Sequence, residues 1–220
     1  MPQNTAKITL DISNLRKDFD RRPVFKNLNF SLTNSDSLAI TGKNVSGKST
    51  LIKVLANTYS QTSGNVTFSI NGKTIERQHF YKHIGFVSPY LNLYDEFSGY
   101  ENLHFVTNLR GLKTEVIDET LKRVGLFDRR HDLVKIYSSG MKQRLKLAFA
   151  IIHNPLILML DEPTSNLDAE GIKIVDNIAE EYKHERILII ATNDEHEKNL
   201  CQKDINLNTQ TVTQNNNKNV

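Results

Sequence analysis

Two clusters of residues have the types and spacing to handle phosphate. Gly42-Lys43-Asn44-Val45-Ser46-Gly47-Lys48-Ser49 matches the pattern G-x-x-x-x-G-K-[ST], with Thr50 directly after it. In such a loop, backbone N–H groups curl round phosphate oxygens at a helix N-terminus, where unpaired amides and the helix dipole favour an anion. Lys48 then reaches the β- and γ-phosphates, and the Ser49 hydroxyl ligates Mg²⁺. Four fixed positions of this kind arise by chance in a chain of this size on the order of one time in a hundred. The plain alternative is a glycine-containing turn before an ordinary helix, and the flanking pattern argues against it. The second cluster is Leu156-Ile157-Leu158-Met159-Leu160-Asp161-Glu162, an apolar run that ends in two acids. A buried strand here presents both carboxylates at its carboxyl end, where α/β folds place ligands. Asp161 is then suited to Mg²⁺, and Glu162 is free to orient or deprotonate an attacking water. Two solvated acids opening a turn would look the same in isolation.

The elements around these clusters have the order that would position them. Residues 37–41 form an apolar strand leading into the phosphate loop, and the spacing of Leu51, Val54 and Leu55 gives a helix from Lys48 onward. Strands are predicted at 7–12, 24–32, 65–70, 84–87, 156–160 and 186–191, with a turn at 33–36. Helices are predicted at 101–110 and 115–124, separated by Gly111, and again at 140–153 and 169–183. Strands alternating with helices indicate an α/β core with parallel strands. The chain after Asn206 is Asn-rich and poor in apolar residues, so the polar tail, 208–220, is expected to fray after one last short strand. No internal repeat is visible.

Composition sets the bounds. With 220 residues, one domain carrying an inserted lobe is the expectation. The longest apolar stretches, 147–152 and 156–160, are far short of the roughly 20 residues a membrane helix needs. The N-terminus lacks a basic region followed by an apolar run, so no secretory signal is expected and the chain should stay in the cytoplasm. A single cysteine, Cys201, rules out an internal disulfide. A net charge of +3 without a basic stripe gives no reason to expect a nucleic-acid partner.

The phosphate loop by itself leaves GTPases, kinases and helicases open. Two further segments narrow the choice. Tyr137-Ser138-Ser139-Gly140-Met141-Lys142-Gln143-Arg144 resembles the LSGGQ signature of ABC ATPases, and Ser165-Asn166-Leu167-Asp168 resembles their D-loop. Together with the phosphate loop and the acids they stand in the family's order and spacing, and the resemblance covers about residues 7–207. It implies a P-loop NTPase core with a parallel sheet, an N-terminal antiparallel β portion and a helical subdomain inserted at about 90–150, all within one ABC ATPase domain spanning 1–220.

The resemblance also implies ATP and Mg²⁺ as ligands, with catalytic roles for Glu162, Lys48 and the switch position Asn193. Nucleotide contacts follow from Gly42 through Thr50, from Phe19 as the aromatic that stacks on adenine, and from Ser138, Ser139, Gly140 and Asp168. Metal contacts follow from Ser49 and Asp161. Ser138 and Gly140 precede a helix whose free N–H groups favour an anion, and in the family that anion is the γ-phosphate of the other subunit's ATP. A dimer of ATPase subunits, homo- or heteromeric, is therefore implied. So is a separate transmembrane permease, which the chain would meet on the cytoplasmic face of the inner or plasma membrane. The compact size looks most like small exporter ATPases, including the haem-exporter-type and ABC-2-type groups. The rival readings are an ABC ATPase acting on nucleic acid and a weakly hydrolysing regulatory subunit of a heterodimer.

Three positions depart from the family. Val45 replaces a glycine in the phosphate loop, where a β-branched side chain resists positive φ. Pro89, beside Ser88, stands where the Q-loop glutamine is usual, leaving Ser88, the backbone or Asn92 to take its part. Asn193 stands where the family has its switch histidine, and an amide cannot carry a proton near neutral pH. With Glu162 retained, hydrolysis is expected to be slow but real. His196, one turn on, is either an unusual replacement or a surface histidine.

Overall fold

The computed structural model describes residues 6–209 and 211–214. Two sheets organise them. A four-stranded antiparallel sheet is ordered β2-β1-β4-β5, from β1 (Ile8–Phe19), β2 (Arg22–Thr33), β4 (Ser63–Ile70) and β5 (Lys73–Ile75). A six-stranded sheet is ordered β10-β9-β3-β8-β7-β6, from β3 (Ser37–Thr41), β6 (Ile84–Val87), β7 (Ile157–Asp161), β8 (Ile187–Ala191), β9 (Lys203–Asn206) and β10 (Thr211–Gln214). Its strands run parallel except β10, which pairs antiparallel with β9. The tail carries a short strand at Thr211–Gln214; position 210 and residues 215–220, part of the stretch expected to fray, lie outside the described residues.

Strands β7 and β8 are buried at every position, as parallel strands covered on both faces must be, which is why they read as unbroken apolar runs. Successive residues nonetheless face opposite sides. Met159 and Ile189 join the core that includes Leu28, Phe68, Leu51 and Leu55, whereas Leu158, Leu160, Leu188 and Ile190 join the core that includes Leu103, Leu121, Leu145 and Tyr182. The first core lies between the two sheets and holds α1 (Lys48–Leu55), whose buried residues follow helical spacing. The second holds three helices inserted between β6 and β7, α2 (Gly99–Arg110), α3 (Glu115–Arg123) and α4 (Ser139–Ile151), together with α5 (Ala169–Glu185). Helix α2 starts on a capping box from Ser98 and Glu101 and stops at Gly111, whose φ of 65° suits a residue without Cβ. A short helix, α6 (Glu195–Asn199), follows β8.

Candidate functional site

The strand order brings together three loops that are far apart in sequence. Ile40 on β3 pairs with Ala191 on β8, and Asp161 on β7 pairs with the same Ala191. The loop after β3, the acids at the end of β7 and Thr192-Asn193 after β8 therefore emerge side by side at the carboxyl edge of the parallel sheet.

The phosphate loop is built on unusual backbone. Gly42 and Gly47 have φ of 140° and 100°, and a Cβ on Gly47 would stand 2.3 Å from Val24 Cγ1, so both conformation and space demand glycine there. Val45 adopts φ of 69° with its side chain fully exposed, so the strain anticipated from a β-branched residue is present. Gly47 is the N-cap of α1 and offers no side chain to cap it, which leaves the first-turn amides without a side-chain acceptor. Into this loop Lys48 folds its ammonium, donating to Gly42 O at 3.1 Å. Burial holds its pKa below the usual lysine range, while the nearby Glu162 and Asp161 pull it upward.

Ser49 Oγ donates to Asp161 Oδ1 at 3.1 Å. Asp161 is only 1% exposed, and burial raises its pKa against the lowering effect of the Ser49 bond. Its second oxygen, Oδ2, is buried without a hydrogen-bond partner, as is Ser46 Oγ. A hydroxyl beside an under-satisfied buried carboxylate fits Mg²⁺, which takes one or two protein oxygens and fills its octahedron with water and phosphate oxygens. That donor set needs no cluster of three or more His, Cys, Asp or Glu, and none is found among the described residues.

Glu162 follows with φ of 49°, its N–H donating to Ala191 O at 2.9 Å. It shares a cleft of about 420 Å³ with Phe19, Asn44, Val45 and Lys48. Asn193 meets the same loop, since its Nδ2 donates to Asn44 Oδ1. Phe19 is 45% exposed at the end of β1, with Tyr59 edge-on at 6.1 Å and the Lys17 ammonium 4.6 Å over its ring. It is not a core residue, and its ring is available to a base. Tyr59 escaped the sequence reading; its position just past α1 was the one available signal.

The signature residues form a second group. Ser138 caps α4, accepting from Met141 N at 3.2 Å, and Ser139 and Gly140 occupy the first turn. Gly140 lies against the D-loop-like segment, where an added Cβ would come within 3.1 Å of Asn166 O. Asp168 caps α5 through Gly171 N at 2.8 Å. Of the substitutes considered for the Q-loop glutamine, Ser88 is buried and accepts from Tyr90 N at 3.4 Å, while Asn92 is exposed. Pro89 offers its backbone carbonyl, which accepts from Lys146 Nζ of α4 at 2.6 Å. His196 is exposed and bound to Asp176 at 2.9 Å, the arrangement of a surface histidine.

Comparison with known proteins bears on the family and the fold. The ABC transporter family model matches residues 25–165. The uncharacterized ABC transporter ATP-binding protein YhcH of Bacillus subtilis is 36% identical over 82% of the chain, and the chain spans 59% of that relative's length. The lantibiotic transport ATP-binding protein SrtF of Streptococcus pyogenes is 37% identical, with 82% of this chain and 78% of the relative covered. Among solved structures, a dimeric ATP-binding cassette bound to ADP and Pi superposes with a TM-score of 0.78 at 21% identity, covering 90% of this chain and 93% of that one. With loop, acids, signature and fold in place, the chain belongs to the ABC transporter ATP-binding family.

Proposed function

We propose that this chain, as one ABC ATPase domain, binds and hydrolyses ATP at a site shared by two protomers and so drives a separate membrane permease. The observation that carries the reading is that Ser49 and Asp161, 112 residues apart, meet at 3.1 Å beside the buried Lys48 ammonium. The uncapped amides at the start of α1 receive the phosphates, and Lys48 exchanges Gly42 O for phosphate oxygens, which restores solvation that burial withholds. Phe19 stacks on the adenine. Ser49 and Asp161 would hold Mg²⁺, whose chemistry is to neutralise charge on the β- and γ-phosphates. Glu162 takes a proton from the attacking water, and Asn193, released from Asn44, donates a hydrogen bond to the γ-phosphate. Ser138, Ser139 and Gly140 complete the site of a second protomer, with Asp168 fixing the start of α5 behind the D-loop-like turn; the dimeric cassette that shares this fold supports that arrangement. No helix among the described residues is long and apolar enough to cross a membrane, so a peripheral position beside a permease on the cytoplasmic face fits the chain. The likeness to SrtF, a lantibiotic transport ATP-binding protein, favours export.

A second reading, a weakly hydrolysing subunit of a heterodimer, is favoured by one contact. Asn193 is held by Asn44 and offers no group that titrates near neutral pH. Steady-state phosphate release from the purified chain and from Asn193→His separates the two. Slow turnover in the parent and a gain of about tenfold in the variant are expected if the switch position limits the rate. A parent with no turnover above background points to the heterodimer.

A further inference from the structure

We infer that Glu197 is a positioning residue for Glu162, its buried carboxylate clamping the turn that carries the proposed base and tying it to the segment that carries Asn193. The inference rests on the reading of Glu162 given above. Glu162 has φ of 49°, and a non-glycine residue in left-handed backbone persists only where its surroundings over-determine it. The clamps can be named. Glu162 N–H is held by Ala191 O, and Pro163 O accepts from Gln143 Nε2 at 3.2 Å. Both donors of Thr164, its N–H at 2.8 Å and its hydroxyl, end on a single oxygen, Glu197 Oε1. Glu197 thus supplies two of the bonds that fix the turn.

The same residue is fixed relative to Asn193. Asp194 Oδ1 accepts from His196 N at 2.7 Å and from Glu197 N at 3.1 Å, so the backbone of Glu197 moves with the residues that follow β8. Glu162, Thr164, Asn193 and Glu197 all line one cleft of about 500 Å³. Through one carboxylate the two residues proposed to act on the γ-phosphate and its water are linked, although they leave the sheet on different strands. Glu197 is 2% exposed and its Oε2 is buried without a hydrogen-bond partner, so burying this carboxylate carries a desolvation cost, and the two Thr164 bonds to Oε1 are what it gains in return. Glu197 makes no hydrogen bond to the phosphate loop among those of its described contacts, so its loss should act on the chemical step and spare nucleotide affinity.

Glu197→Ala and Glu197→Gln test this, each measured for kcat, for ATP affinity and for the Thr164 amide in ¹H–¹⁵N spectra of threonine-labelled protein. Glu197→Ala is expected to lower kcat about tenfold or more through misplacement of Glu162. Its affinity for ATP should stay within about twofold of the parent, and the Thr164 amide proton should move upfield as it loses a carboxylate acceptor. Glu197→Gln keeps an acceptor oxygen and should recover most of the loss. Thr164→Val, which removes only the hydroxyl donor, provides an intermediate case should Glu197→Ala fail to fold. An unchanged kcat in Glu197→Ala, an unmoved Thr164 resonance, or Glu197→Gln as slow as Glu197→Ala overturns the clamp. A parent without turnover points to the heterodimer reading and removes that of Glu162 as a working base, and the Thr164 resonance still decides whether Glu197 holds the turn.

Discussion

Replacing Glu162 by Gln should leave ATP binding intact and lower steady-state turnover by about a hundredfold or more, the range general-base removal produces. The two side chains have nearly the same shape, but an amide cannot accept the proton that leaves the attacking water. Binding should survive because the phosphate contacts come from the loop amides, Lys48 and Ser49, none of which the substitution touches. Glu162 also places negative charge beside Lys48, raising the lysine's pKa against the effect of burial. Its neutralisation removes a like charge from the neighbourhood of the phosphates, so affinity should hold or rise. Phosphate release, read beside the nucleotide retained after gel filtration, checks both halves. A variant that hydrolyses as fast as the parent rules out Glu162 as the base.

Lys48→Ala should act on the other term, lowering ATP affinity by about tenfold to a hundredfold while leaving the fold in place. Hydrogen bonds to charged groups contribute about 1.5–3 kcal/mol each, and roughly 1.4 kcal/mol is a factor of ten in Kd. In the free chain the desolvated ammonium donates to Gly42 O, so its removal deletes that internal bond and relieves a desolvated charge. Alanine also suits the first turn of α1, and the thermal midpoint should change little. Equilibrium titration with Mg–ATP measures the loss. Parent-like affinity would place the phosphates somewhere other than this loop.

Much of the site could be read from the sequence because it is carried by short contiguous motifs. The loop, the acids and the signature turn each declare themselves within eight residues, and the strands that carry them are apolar runs whose predicted limits agree with β3, β6, β7 and β8 to within one residue. Elements without such a signal were lost. β1 continues to Phe19 through polar residues and three breaks in its register with β2 between Ile12 and Asp18, so only its first half shows alternation. β5, with three residues, and α6, with five, are too short for a period to appear. β10 lies at the edge of the sheet and β9 between it and β3, and with four residues each they are too short for a clear period to appear. Contacts across the chain were invisible for a different reason. Asn44 with Asn193, and Thr164 with Glu197, are joined by the strand order of the sheet, which no local pattern encodes.

That ATP sits on residues 42–50 with its phosphates facing Asp161 and Glu162 is tested most directly by amide hydrogen exchange with and without Mg–ATP. Binding there predicts slowed exchange in peptides covering 42–50 and in those ending β7 at Asp161 and Glu162. Saturation with ATP that leaves both segments exchanging as in the free chain would contradict it.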